Sequence, residues 1–435
     1  MIPSSANRTS KARVDCFPDA PPDWPRCLFS DVAEVNPLYR VATDGEQPFL
    51  DMAALREDFG GIAGYGSRPF ESSYSRFRKH DTLFAKITPC AENGKVAFVE
   101  SVPAEHGLGS TEFIVLSPRA GFDPYFVYSL ASCPAVHRRA VSRMEGSTGR
   151  LRITEKTFTR WLWVAVPPTH AEQTRIAETL KAADDHIRAL EELLRKAERV
   201  KKALLQSIFV EGIPGRRGTH QTFRWGLAPA GWVETSVRAL VTEPVGNGTS
   251  PVTARQEPPG FPTLNVSSIR NGRCDQSKVS YIELPEQAAT AFAVNQGDFF
   301  VLRGNGNRAF VAIGGLLTDE PQAGLVFSDL LIRLRFDHSK ALPEFMKYLW
   351  QSPPFLRRLQ SYAVTGSGLW KIGQRSISRL KVAVPTDIDE QKDIAAIFDA
   401  QEELLLALAN QLTAARRVKQ SLLQNLLTGK LRLKP

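Results

Sequence analysis

At 435 residues, with 43% hydrophobic and 23% charged, the chain has the make-up of ordinary globular protein and the length of about two to four domains. No apolar run reaches the roughly 18 residues that span a bilayer, and the N-terminus lacks the apolar core of a signal peptide, so a cytoplasmic protein is expected. Five scattered cysteines (Cys16, Cys27, Cys90, Cys133, Cys274) without a C-x-x-C pair argue against a zinc site, and a net charge of +9 favours a polyanionic partner.

Residues 1–21 read as a disordered leader carrying Arg8, Lys11 and Arg13. Pro21, Pro22, Asp23, Trp24 and Pro25 then open a first globule over 22–168, in which 49–52, 82–87, 96–99 and 113–116 read as strands. Stretches 124–131 and 134–142 look helical, and 162–166 is a last strand before Pro167 and Pro168. A long helix occupies 169–212, beginning near Thr169 or His170 and running to about Val210. Gly212, Pro214 and Gly215, with Arg216 and Arg217 behind them, break it. After a linker over 213–229 the pattern starts again: a second globule at 230–386, a second long helix at 387–428 and a tail at 429–435.

The two helices carry matching stripes. Ile176, Leu180, Ala183, Ile187, Leu190, Leu194, Ala197, Lys201, Leu204 and Ile208 alternate spacings of four and three. Ile394, Phe398, Gln401, Leu405, Leu408, Leu412, Ala415, Lys419, Leu422 and Leu426 do the same at a constant offset of 218 residues. That period is a coiled-coil seam. Lys201 and Lys419, one per seam, are expected to snorkel outward near the helix ends. The globules repeat as well. Trp24 matches Trp232, Asp81 matches Asp298, Glu112 matches Asp329, and the Val164–Pro167 run of residues matches 382–385. The chain therefore reads as a tandem duplication of the α/β (α+β) class: two mixed α/β globules, with two long helices forming an antiparallel coiled coil about an internal pseudo-two-fold. A helix of about 40 residues is roughly 60 Å long, nearly two turns of B-DNA, so such a rod would hold a reader at each end.

Enzyme signatures fail. No phosphate loop, G-x-G-x-x-G or H-E-x-x-H occurs, the seven histidines lack metal-ligand spacing, and neither catalytic nor metal residues are expected. Ser352, Pro353, Pro354 and Phe355 look like an amino-methyltransferase loop, but they follow a helical stretch and read as a helix-to-helix break. The residues suited to DNA lie in loops. Lys86, Thr88, Asn93 and Lys95 follow a strand in the first half, and Arg303, Asn305, Asn307 and Arg308 fill the matching place in the second. Glycine loops with adjacent bases form the second candidate: Ser147, Thr148, Arg150 and Arg152, with Ser367 and Lys371 opposite. Arg138, Arg139, Arg143, Arg357 and Arg358 are helix-borne bases that suit phosphate or a solvated face.

The duplicated motifs resemble a known family, the specificity (S) subunit of type I restriction–modification enzymes. The resemblance rests on V-x-V-P strand ends (164–167, 382–385), E-Q-x-x-I-A helix starts (172–177, 390–395), L-L-Q-x-[IL]-[FL] helix ends (204–209, 422–427) and the Thr428, Gly429, Lys430, Leu431 ending. It implies that each globule is a target recognition domain reading half of a bipartite sequence in double-stranded DNA. It also implies that the helices set the spacer and dock two modification (methyltransferase) subunits, with restriction (motor/nuclease) subunits where the system restricts. No cofactor is then expected in this chain. S-adenosylmethionine belongs to the modification subunit, and ATP and Mg to a restriction subunit. Two other readings stand beside it: a coiled-coil scaffold that binds only protein, and a self-contained DNA methyltransferase.

Overall fold

Two of the repeated motifs meet in one hydrogen bond, and they do so in both halves of the chain. The Gln173 amide donates to the Pro167 carbonyl at 3.2 Å, and the Gln391 amide donates to the Pro385 carbonyl at 2.9 Å. Each V-x-V-P strand end is thus tied to the first turn of the helix that follows, where its last carbonyl has no ladder partner. The computed structural model describes residues 14–147, 149–215, 220–250, 254–366 and 368–433. The chain divides into two units: Met1–Glu191 with Asn410–Pro435, and Glu192–Ala409.

In the first unit, a four-stranded antiparallel sheet is ordered Ala33–Val35, Phe113–Pro118, Thr82–Ala85, Val96–Phe98. All four residues of Thr82–Ala85 are buried, as a central strand covered on both faces requires. A second sheet places Glu46–Leu50 parallel to His106–Gly109, with Gly66–Pro69 and Ser75–Arg78 at its edges. Asp123 caps the helix Pro124–Ser132 by accepting from Tyr125 N and Phe126 N, and Pro134 restarts the chain as Pro134–Val141. Val14–Asp15 pairs parallel with Leu162–Ala165, and Cys16 and Phe17 are buried behind it. The expected leader over 1–21 therefore ends early: residues 14–20 join the fold because Cys16, Phe17 and Ala20 enter the main apolar core. Residues 1–13 of that leader, and Arg216 and Arg217 of the linker, lie outside the described residues.

The second unit repeats this plan. Gly246–Asn247, Leu331–Leu334, Phe299–Leu302 and Gly314–Leu316 follow the same order, and Gly272–Cys274 and Ile269–Arg270 extend the sheet to six strands. Phe261–Leu264 again runs parallel to its partner, Val326–Phe327. The helices Pro343–Gln351 and Pro353–Ser361 break at Ser352, whose hydroxyl is spent on Leu349 O at 2.7 Å, as the sequence predicts.

The long helices are His170–Glu211 and Ile388–Leu426, and each contributes to both units. In the first unit Ile176, Ala177 and Leu180 share a core with Leu423, Leu426 and Leu427. In the second, Leu205, Ile208 and Phe209 share one with Ile394, Ala395 and Phe398. Within each unit the partner number falls as the helix number rises, Asp184 with Lys419 and Glu191 with Arg416 in the first, Lys201 with Glu402 and Phe209 with Phe398 in the second, so the pairing is antiparallel. The seam lysines do not snorkel. Lys419 Nζ lies 2.5 Å from Asp184 Oδ1, and Lys201 Nζ lies 2.9 Å from Glu402 Oε1, with lysine side chains only 14% and 16% exposed. The snorkel expectation fails because a carboxylate of the other helix neutralises each ammonium at the seam. The two pairs are equivalent under the 218-residue offset, which carries Asp184 to Glu402 and Lys201 to Lys419.

Candidate nucleic-acid interface

In the first unit, the backbone of Lys86 is held from both sides. Its N–H donates to Glu112 O at 2.9 Å, and its carbonyl accepts from Ile153 N at 2.8 Å. Thr88 N–H donates to Leu151 O at 3.1 Å, and Ile87 bridges to Arg152. These bonds bring together the two candidate loops, which lie far apart in sequence. The tip turns at Gly146, with φ +133°, where a Cβ would stand 2.7 Å from Arg150 O, so glycine is the residue the turn accepts.

Several predicted contacts are already occupied here. Arg152 grips both Glu112 oxygens, Nη2 to Oε1 at 2.8 Å and Nε to Oε2 at 3.0 Å, and this holds the Glu112 carboxyl below its ordinary pKa. The Thr88 hydroxyl donates to Glu92 Oε1 at 3.2 Å, the Asn93 amide to Glu57 Oε1 at 2.9 Å, and the Lys95 ammonium to Met52 O at 2.9 Å. Ser147 and Arg150 are exposed, and Lys86 is half-buried. The Arg150 and Lys86 side chains have no hydrogen bond or ion pair among the described residues.

The second unit repeats the frame and extends it. Arg303 N–H donates to Leu330 O, and its carbonyl accepts from Ile372 N, both at 2.8 Å. The loops then pair into a three-stranded ribbon: Gly304–Asn305 against Leu369–Lys371, and Leu369–Lys371 against Val364–Gly366, both antiparallel. Arg303 Nη1 donates to Asp329 O at 3.3 Å. Asn305 Oδ1 accepts from Asn307 N at 2.8 Å, and Asn307 Oδ1 accepts from Ala309 N at 3.0 Å, so both amides shape the loop. The Arg308 guanidinium lies 4.9 Å over the Trp370 ring and donates to Gln360 O at 3.2 Å. Lys371 is exposed and unpaired among the described residues. The remaining candidates, Thr148 and Ser367, lie outside the described residues.

No family model matches the chain. It is 25% identical over 319 residues to the EcoKI type I restriction enzyme specificity subunit of Escherichia coli strain K12, covering 72% of this chain and 66% of that one. It is 30% identical over 169 residues to the EcoEI type I restriction enzyme specificity subunit of Escherichia coli, covering 37% and 28%. The chain is a homologue of type I restriction enzyme specificity subunits. It spans less than two thirds of the length of either relative, 66% and 28%. A chain solved in work on complex assembly and conformational transition of the type I R-M system superimposes at TM-score 0.58 and 18% identity, covering 95% of this chain and 99% of that one, a likeness of fold.

In this specificity-subunit homologue the helix-borne bases are mostly fixed in place. Arg139 donates to Ala135 O at 3.0 Å, Arg143 lies 4.5 Å over Trp161, and Arg358 lies 4.1 Å over Trp225, whereas Arg357 is exposed. Among the described residues no group of His, Cys, Asp and Glu is placed to hold a metal, and no helix is long and apolar enough to cross a membrane. Sequence reasoning missed Glu112 as the clamp on Arg152, and missed Val364 and Leu369, which stand exposed on the ribbon. Glu112 carried a usable signal, since its match across the repeat is another acid, Asp329. The apolar exposure carried none, because Val and Leu in a short strand read as core.

Proposed function

We propose that this chain is the non-catalytic, sequence-specific DNA-binding specificity subunit of a cytoplasmic type I restriction–modification complex. Its target recognition domains, 22–168 and 230–386, each read one half of a bipartite site in double-stranded DNA. The observation that carries this is the repeated loop pairing. In both units the same backbone bonds, from Ile153 N to Lys86 O and from Ile372 N to Arg303 O, set two basic, glycine-bearing loops side by side.

Arg150 and Lys371 lead the contacts to DNA, with Lys86, Ser147, Thr148, Arg303, Asn305, Asn307, Arg308 and Ser367 around them. Thr88, Asn93, Lys95 and Arg152 brace the first loop. The paired helices set the spacer and dock two methyltransferase subunits. Leu193, Val200, Leu404 and Leu406, exposed on the helices of the second unit, suit such docking. S-adenosylmethionine works in those subunits, and ATP and Mg in a restriction subunit where one is present.

Genome-wide mapping of methylated adenines with and without this chain tests the reading. The expected result is one bipartite motif that disappears with the chain. Methylation that is unchanged, or scattered without a motif, overturns it. Calorimetry of the isolated chain with S-adenosylmethionine tests the competing methyltransferase reading, and no binding is expected.

A further inference from the structure

The ribbon of the second unit has two unlike faces. Val364 is paired with Lys371, and Gly366 with Leu369, so Val364, Leu369 and Lys371 project from one face while Thr365 and Trp370 project from the other. Val364 is 68% exposed and Leu369 38%, although a strand ordinarily turns such side chains toward a core. Neither the ribbon nor its adjoining loop, 304–308 and 364–371, contains an acid, whereas Arg308 and Lys371 lie within it. An apolar face that carries the Lys371 ammonium, with Arg308 stacked on Trp370 behind it and no carboxylate in these segments, suits a polyanion that displays apolar groups between its charges. Duplex DNA does so through the thymine C5 methyls in its major groove, which also admits a two-stranded ribbon such as the Val364–Gly366 and Leu369–Lys371 pair. The first unit is built differently at the matching position. There Arg150 stands where the ribbon has Leu369, and Glu112 and Glu145 flank Arg152.

We propose that this ribbon is the base-reading edge of the second unit, with Val364 and Leu369 selecting thymine by its methyl group and Lys371 anchoring the adjacent phosphate. The inference rests on the DNA-recognition reading above and goes beyond it in naming the base and the chemistry.

The test uses the full chain in complex with its modification subunits and duplexes carrying the mapped bipartite site, with thymine replaced by uracil in one half-site at a time. In one half-site only, uracil is expected to weaken binding about fourfold per lost methyl. Val364→Ser and Leu369→Ser should abolish that penalty while the other half-site is read as before. Both side chains are exposed, so these variants should fold, and near-native thermal unfolding checks it. An unchanged uracil penalty in the variants, a wild-type complex indifferent to uracil, or half-sites without thymine would each overturn the proposal. So would variants that keep the penalty but no longer co-elute with the modification subunits, which would make the ribbon a protein-docking face. A wild-type complex that cannot tell the mapped site from a scrambled duplex is a separate result, and it removes the DNA-recognition reading itself.

Discussion

The two units solve the same burial problem in opposite ways, and one pair of matched carboxylates displays it. Asp298 of the second unit is gripped by Arg335, Nε at 2.7 Å and Nη2 at 2.9 Å. Asp81, its match in the first unit, is equally buried, but no ion pair holds it among the described residues, and its hydrogen bonds come from neutral groups, Tyr39 Oη at 3.2 Å and Arg78 N at 2.9 Å. Burial outweighs these hydrogen bonds and the nearby Arg78 charge and pushes the Asp81 carboxyl up to about 6. On the seam the imbalance recurs. Asp184 meets one lysine and the Tyr125 hydroxyl, at 2.6 Å, while Glu402 collects Lys201, Lys347 and Arg273 at 2.9 to 3.0 Å. Burial pulls the Glu402 pKa up, but the hydrogen bonds from Lys201 and Lys347 win and hold it at about 2. A duplicated frame can thus keep its backbone while its charge networks diverge. The second unit has invested in ion pairs where the first relies on hydroxyls and protons.

The largest effect should come from Glu402→Ala, because Lys347, 3% exposed, would lose its main carboxylate partner. Leaving that charge buried costs about 3–5 kcal/mol, against about 1–2 kcal/mol for Asp184→Ala, both read from denaturant unfolding. Equal losses would dissolve the contrast.

Next comes pH. A folded pKa above the ordinary 3.8 means that folded Asp81 holds its proton where the unfolded chain has released it. Stability of the first unit therefore falls as pH rises from about 4 to 6, by up to about 3 kcal/mol, and Asp81→Asn should flatten that slope. Glu402 has the opposite sign: its stabilisation is present above about 4.5 and is lost as pH falls toward 2. Hydrogen exchange followed unit by unit across this range should show the two trends cross.

A smaller change is expected from Glu112→Gln. The Arg152 pair is partly exposed, so stability in denaturant unfolding should fall only slightly. Even so, amide exchange at Thr88 and Ile153 should speed up as the two loops separate. Smallest in stability, within about 0.5 kcal/mol, are Arg150→Ala and Lys371→Gln. Each should weaken duplex binding without altering base preference and lower the salt slope by about 0.9. A shifted preference for Arg150→Ala alone would mean that the first unit reads bases with charge, which would sharpen its difference from the apolar ribbon.

Much of the fold was legible because it is written twice. The seam, the V-x-V-P strand end and the E-Q helix start each recur, and Gln173 and Gln391 explain in one bond why two of them travel together. The two candidate loops could be picked out too, as basic residues near glycines. Their juxtaposition could not, because Lys86 and Ile153 meet through backbone bonds that no side-chain pattern announces. Nor could the sequence say which bases are free. Whether Arg152 faces solvent or Glu112 depends on strands 40 residues apart in the chain. The seam lysines failed for the same reason, since Asp184 and Glu402 reach them only across a second helix.

One feature of the first unit bears on how the molecule is born. Its core closes with Leu423, Leu426 and Leu427, and Arg432 clasps Glu172 at 2.5 and 2.9 Å beside Trp24. A ribosome releases residues 14–191 long before it reaches this closing strip. The half that emerges first must wait, with Ile176 and Leu180 uncovered, until the half that emerges last has been made. Vectorial synthesis and the order of completion run in opposite directions here, and nascent chains stalled before residue 410 should be the ones that chaperones hold longest.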